Sequence, residues 1–82
     1  MTHLYNRIGL FRAERGTSRR ELADAVEVNP QTIGYLERGD YKPSVELAMK
    51  IAAYFGVPVE MLFSFTPFES VAAALARARE TP

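Results

Sequence analysis

Between Ser18 and Gly39 the chain reads SRRELADAVEVNPQTIGYLERG, and its polar, chemistry-bearing side chains gather in the second half of that stretch. Asn29, Gln31, Thr32 and Tyr35 carry amides, a hydroxyl and a phenol, all able to donate and accept hydrogen bonds. No nucleophile stands beside a base, no carboxylate pair stands out, and no phosphate-cradling loop is present, so no catalytic residue is expected and the protein is read as a non-enzyme. A helix over 29–37 turns Ile33 and Leu36 to one side and leaves the four polar residues on the other. The expected task is recognition, not reaction.

Bulk properties narrow the field further. Eighty-two residues make one domain, close to the smallest that holds a core without staples. The absence of cysteine excludes disulfides and thiolate metal sites, and makes a reducing, cytoplasmic location the default expectation. A single histidine, His3, offers no metal site, and nothing implies a cofactor. The start MTHLYNR has no apolar run of the signal-peptide kind. No stretch approaches the roughly 18 consecutive apolar residues of a membrane span. Ten basic and ten acidic residues cancel, which counts against nucleic-acid binding by bulk charge alone. Arg7, Arg12, Arg15, Arg19 and Arg20 nevertheless crowd the first quarter.

The elements that must position the polar set follow from caps and apolar spacing. Asn6 is a candidate N-cap for a helix ending at Arg15, with Ile8 and Phe11 inward, Gly16 as its left-handed stop and Leu10 left exposed. Ser18-Arg19-Arg20-Glu21 has the form of a capping box and opens a helix burying Leu22, Ala23 and Val26. Asn29-Pro30 starts the next helix as N-cap and first-turn proline, and Gly39 ends it. Val28, between the two, is expected inward. Asp40 to Pro43 reads as a loop. Ser44 caps a helix with Leu47, Ala48, Ile51 and Phe55 at helical spacing, stopped by Gly56. One short turn with Val59 and Leu62 closes the core. Phe63-Ser64-Phe65-Thr66 then alternates as a strand, which needs a partner: His3 to Tyr5 of the same chain, or a second subunit. Thr66-Pro67-Phe68-Glu69 repeats the capping-box form before an alanine-rich segment running to Glu80. Its stripe Phe68, Val71, Ala72 and Leu75 is too narrow for a stable isolated helix.

In this order and spacing, the residues from Asn6 to Phe63 resemble the Xre/Cro family of lambda-repressor-like helix-turn-helix proteins. The resemblance rests on N-R-I at Asn6 to Ile8, R-x-x-R-G at Arg12 to Gly16, E-L-A at Glu21 to Ala23 and Q-T-I at Gln31 to Ile33. It continues in L-E-R-G at Leu36 to Gly39, Pro43-Ser44, L-A-x-K-I-A at Leu47 to Ala52, and F-G-V at Phe55 to Val57. The ending LFSFTPF is similar to the small cytolysin-repressor-like members, which carry a short β extension and form homodimers. The implied architecture is all-α: a five-helix domain over residues 1–66 with the β extension, and a tail over 67–82 able to form an extra helix. Four departures stand out: Arg19 where the family usually has glutamine, Glu27 where it usually has glycine in the turn, Tyr35 where a basic or polar residue is common, and Pro30 where an uncharged small residue is common.

The resemblance implies a transcriptional regulator, a repressor in the leading reading, that binds double-stranded DNA in the major groove through helix 29–37. Base contacts would come from Asn29, Gln31, Thr32 and Tyr35; glutamine pairs bidentately with adenine, and threonine offers a hydrogen bond or a methyl. Phosphate contacts would come from Arg12, Arg19, Arg38, Tyr41 and Lys42. Arg12 and Glu37 have a competing structural reading as a tie between helices. A homodimer interface is expected at Met61, Phe63, Phe65 and Phe68. Two alternatives remain open: an antitoxin whose C-terminal tail engages a protein partner, and a protein-interaction module, which the zero net charge supports.

Overall fold

The computed structural model describes residues 3–80. Strand β1 (Tyr5–Asn6) is followed by helices α1 (Ile8–Arg15), α2 (Arg19–Val26), α3 (Pro30–Arg38), α4 (Val45–Phe55) and α5 (Val59–Leu62), then β2 (Phe63–Ser64) and α6 (Val71–Glu80). The local signals act as the sequence suggests at most helix ends. Ser18 and Glu21 form the reciprocal capping box of α2, Asn29 Oδ1 accepts from the Gln31 N–H, and Ser44 Oγ accepts from the Leu47 N–H. Each cap relieves a backbone donor that has no partner inside its helix.

One side of each of helices α1 to α5 supplies the core. Ile8, Leu22, Ala23, Val26, Ile33, Leu36, Leu47, Ile51, Ala52, Phe55 and Leu62 are buried, with Phe11, Val28, Val57, Val59 and Phe63 packed around them. Ala23, fully buried, lies where α2 meets its neighbours and has no bulk to hold them apart. On α4 the fourth inward position is Ala52; Ala48, expected inward, is half-buried. Leu10 is exposed, as expected.

The terminal elements depart more from the sequence pattern. Helix α1 begins at Ile8, with Arg7 at its cap position and no side-chain cap there. Asn6 is still spent on this helix start: its Oδ1 accepts from the Ile8 N–H at 3.1 Å, while its Nδ2 donates to the Leu36 carbonyl at 2.8 Å. A single amide therefore joins the start of α1 to the end of α3. The expected strand over Phe63–Thr66 stops at Ser64, because β1 offers only two residues for antiparallel pairing, Tyr5 with Ser64 and Asn6 with Phe63. The partner is thus the N-terminal segment of the same chain. Beyond it the Ser64 hydroxyl accepts the Thr66 N–H and bends the chain.

The capping box expected at Thr66 does not form. Helix α6 opens at Val71, and the Ser70 hydroxyl accepts the Ala73 N–H in the cap position. Phe68 instead lies under Arg7, whose guanidinium carbon is 4.0 Å from the ring centroid. That cation–π contact draws residues 67–70 back along the domain rather than into the helix. The expected stripe on α6 includes Val71, whose side chain lies outside the described residues; Leu75 on the same helix is exposed.

The turn between α2 and α3 carries backbone strain. Glu27 ends α2 with φ 62° and ψ 46°, the single non-glycine residue of positive φ among those described. A side chain in that conformation costs roughly 1–2 kcal/mol. Replacing Glu27 by glycine is expected to stabilise the fold by about 0.5–1 kcal/mol after the entropy glycine adds to the unfolded chain. Glu27→Ala, which keeps the strain, should show no such gain in urea unfolding.

Candidate nucleic-acid interface

Helix α3 presents a polar outer surface because its other face is occupied. Ile33 and Leu36 are fixed in the core, Pro30 holds the first turn, and Gly39 closes the last turn in the left-handed conformation. Gln31 and Tyr35 are exposed on the outer side, and Thr32 beside them is half-buried. Tyr35 stands one helical turn beyond Gln31. Asn29 is exposed too, but its side-chain oxygen is committed to the cap, leaving its amide N–H groups to face outward. Thr32, Tyr35, Asp40 and Tyr41 line one recess of about 410 Å³ on this face. Arg19, Pro30, Gln31, Gly34, Tyr35 and Arg38 line another of about 290 Å³, with no acidic residue among them.

The basic residues divide into two sets. Arg12 belongs to the scaffold: its Nε and Nη2 donate to Glu37, at 2.8 and 3.3 Å, and its Nη1 donates to the Thr17 carbonyl. Arg15 likewise donates to the Phe55 carbonyl, tying α1 to the end of α4. The second set faces outward. Arg19 reaches Glu37 through Nε and Nη2, both at 3.1 Å, yet its side chain is half exposed. Arg38 donates from Nε to Asp40 at 3.0 Å and stacks 5.1 Å from the Tyr35 ring centroid. Tyr41 and Lys42 are exposed in the loop that follows α3.

Glu37 is the hub of this arrangement, a carboxylate only 10 % exposed and shared by arginines from α1 and α2. Burial pushes its pKa up, but hydrogen bonds and charge attraction from Arg12 and then Arg19 outweigh that, so it ionises below its usual range. The same bond to Glu37, against the opposing effect of burial, raises the Arg12 pKa. The sequence identified Glu37 as a tie to Arg12 but missed the tie to Arg19. It also missed the grouping of Arg19 and Arg38 at Gly34. Only the spacing of Gly34 and Arg38, one turn apart on α3, signalled half of that grouping.

The sequence profile described as Helix-turn-helix matches residues 8–62. The chain belongs to this helix-turn-helix family of DNA-binding transcriptional regulators. It is 49% identical over 59 residues to an uncharacterised HTH-type transcriptional regulator of Archaeoglobus fulgidus, an alignment spanning 72% of this chain and 84% of that one. Over 54 residues it is 33% identical to RstR, the cryptic phage CTXphi transcriptional repressor of Vibrio cholerae, covering 66% of this chain and 49% of RstR. Among solved structures, the clp gene regulator ClgR of Corynebacterium glutamicum superimposes with a TM-score of 0.62 at 32% identity, over 89% of this chain and 74% of ClgR. In the helix-turn-helix regulator described here, α2 and α3 are the two helices of the motif, and Glu27 and Val28 lie in its turn. No helix among the described residues is long and apolar enough to cross a membrane.

Glu37 supplies a pH test. Its folded pKa lies below the unfolded value, so its contribution is complete above the unfolded carboxylate range and fades as pH falls through the folded pKa. Stability is expected to decline as pH drops below about 4.3. Glu37→Gln should cost roughly 1–3 kcal/mol at neutral pH, by leaving Arg12 short of its acceptor. The difference between variant and wild type should shrink on acidification. Urea midpoints of the two proteins at pH 7 and pH 3 check this; a constant difference would place the acid sensitivity elsewhere.

Proposed function

We propose that this regulator is a sequence-specific repressor that reads double-stranded DNA in the major groove with α3, as a homodimer. One observation carries the reading: Gln31, Thr32 and Tyr35 stand side by side on the outer face of a helix anchored on its inner face, with Arg19, Arg38 and Tyr41 lining the same recesses. A helix fits the major groove, and side chains near its N-terminus reach base edges. Gln31 suits an adenine, Thr32 a thymine methyl or a hydrogen bond, and Tyr35 a base or phosphate one turn on. Asn29 contributes through its amide N–H groups. Arg19, Arg38, Tyr41 and Lys42 contact phosphates, whereas Arg12 holds α1 to α3 and has only part of its guanidinium left for the backbone. The placement of these cations answers the zero net charge, since attraction to phosphate needs local excess only. Repression is favoured because the phage protein RstR is itself named a repressor.

A dimer suits the reading because paired domains engage half-sites about 34 Å apart on B-DNA. Phe65 is 73% exposed and forms part of the wall of a largely apolar groove of about 550 Å³, with Leu4, Val45, Ala48, Val59 and Phe63 and the polar Ser44, Glu60 and Ser64 also in its lining. A projecting aromatic at a largely apolar hollow allows two copies to exchange knobs about a two-fold axis. Exposed Met61 is assigned to the same interface. Phe63 and Phe68 pack against their own chain and back the surface from beneath.

Two measurements check these proposals. Selection of duplexes from a random pool should yield a palindromic site, and Gln31→Ala should relax the preference at one position per half-site, worth about 1–3 kcal/mol of discrimination. Uniform weakening with an unchanged preference would remove Gln31 from base readout. Phe65→Glu should sediment as a monomer at micromolar concentration and keep its helical circular dichroism; a variant that remains dimeric places the interface elsewhere.

A further inference from the structure

The recess at Gly34 brings two guanidinium groups from different helices over one point of backbone. A methyl group placed on Gly34 would lie 3.5 Å from Arg38 Nη1 and 3.9 Å from Arg19 Nη1. The two nitrogens therefore stand no further apart than those two distances laid end to end. Two oxygens of a single phosphate span such a gap at charge-assisted N–H···O lengths of about 2.8 Å. Each arginine is also prevented from swinging away. Arg19 is held through Nε and Nη2 by Glu37, and Arg38 through Nε by Asp40 and by the face of Tyr35. Both acids thus grip the far edge of their arginine and leave Nη1 toward the recess, whose lining contains no carboxylate.

Arg12, Arg19 and Arg38 set three positive charges against the two carboxylates of Glu37 and Asp40, and that local excess attracts a further anion. We infer that Arg19 and Arg38 form one clamp for a single DNA phosphodiester, joining the start of α2 to the end of α3 across Gly34. The inference rests on the DNA-binding reading for its ligand, and it makes Gly34 a positioning residue. Glycine is otherwise the weaker choice inside a helix. Here the missing side chain lets both guanidiniums settle over the backbone, where a branched side chain would part them. The phosphate so held sits within one helical turn of Gln31 and fixes how deeply α3 enters the groove.

The salt dependence of binding to the selected duplex tests the clamp, because the slope counts phosphates rather than arginines. Wild type, Arg19→Met, Arg38→Met and the double variant are compared. If both arginines share one phosphate, the double variant lowers the slope by no more than about 0.9 per bound protomer. Separate phosphates would give about 1.8, and that result overturns the clamp, as does an unchanged slope in all variants. Gly34→Leu should reproduce the slope of the double variant with unaltered helical content by circular dichroism. An unaltered slope in Gly34→Leu overturns the positioning role of Gly34.

If no duplex is retained even at low salt, the DNA reading itself fails. Titration with inorganic phosphate, followed by NMR of the Gly34 amide and the arginine Nε–H groups, then decides the clamp. Coincident saturation that either single variant abolishes supports a shared anion site. No saturable shift overturns it.

Discussion

Glu37 is the constraint on which the rest of this structure depends. Its carboxylate is nearly buried, and an isolated charge there would be strongly disfavoured. Arg12 from α1 and Arg19 from α2 satisfy it from two sides, so three helices meet at one ionised group. Buried ion pairs are poor sources of net stability, because desolvation offsets much of the attraction. Their value here is geometric. The pair with Arg12 sets how α1 lies against α3, and the contact with Arg19 fixes the one guanidinium that the motif's first helix turns toward the recess.

The remainder of the scaffold keeps α3 rigid around that point. Asn29 caps its start, Asn6 takes the Leu36 carbonyl near its end, and Ile33 and Leu36 anchor it along its length. A helix held at both ends keeps its outer face in one fixed geometry, so ordering its backbone adds little to the cost of any contact made there. The same logic explains a domain of zero net charge in a DNA-binding family. Glu37 and Asp40 lie behind and beside Arg19 and Arg38, orienting them, and Glu27 and Glu46 pair with Lys50.

Several elements were legible because the signal is local. A serine, asparagine or glycine at a helix end acts on backbone groups within four residues; α2, α3 and α4 start where these residues stand, and α3 and α4 stop there. Apolar spacing found nearly all of the core for the same reason, since helix geometry maps spacing directly onto a face. The left-handed turn at Glu27 followed from the family resemblance and is present. The errors lie where a distant group competes with a local one. Thr66 lost its role as a cap because the Ser64 hydroxyl takes its N–H and Phe68 lies against Arg7. The strand ended at Ser64 because the partner segment, far away in sequence, is two residues long.

The candidate site divides along the same line. By itself the sequence determined which face of α3 is polar, which hydrogen-bonding side chains stand on it, and the motif to which they belong, because all of these are set within a few turns of one segment. Only the tertiary structure decided what each cation does. Arg12 and Arg19 look alike on paper, yet one is enclosed with a carbonyl and a carboxylate while the other lies half open over Gly34. That difference depends on the angle at which α1, α2 and α3 cross, and the angle is settled by packing among residues far apart in the chain.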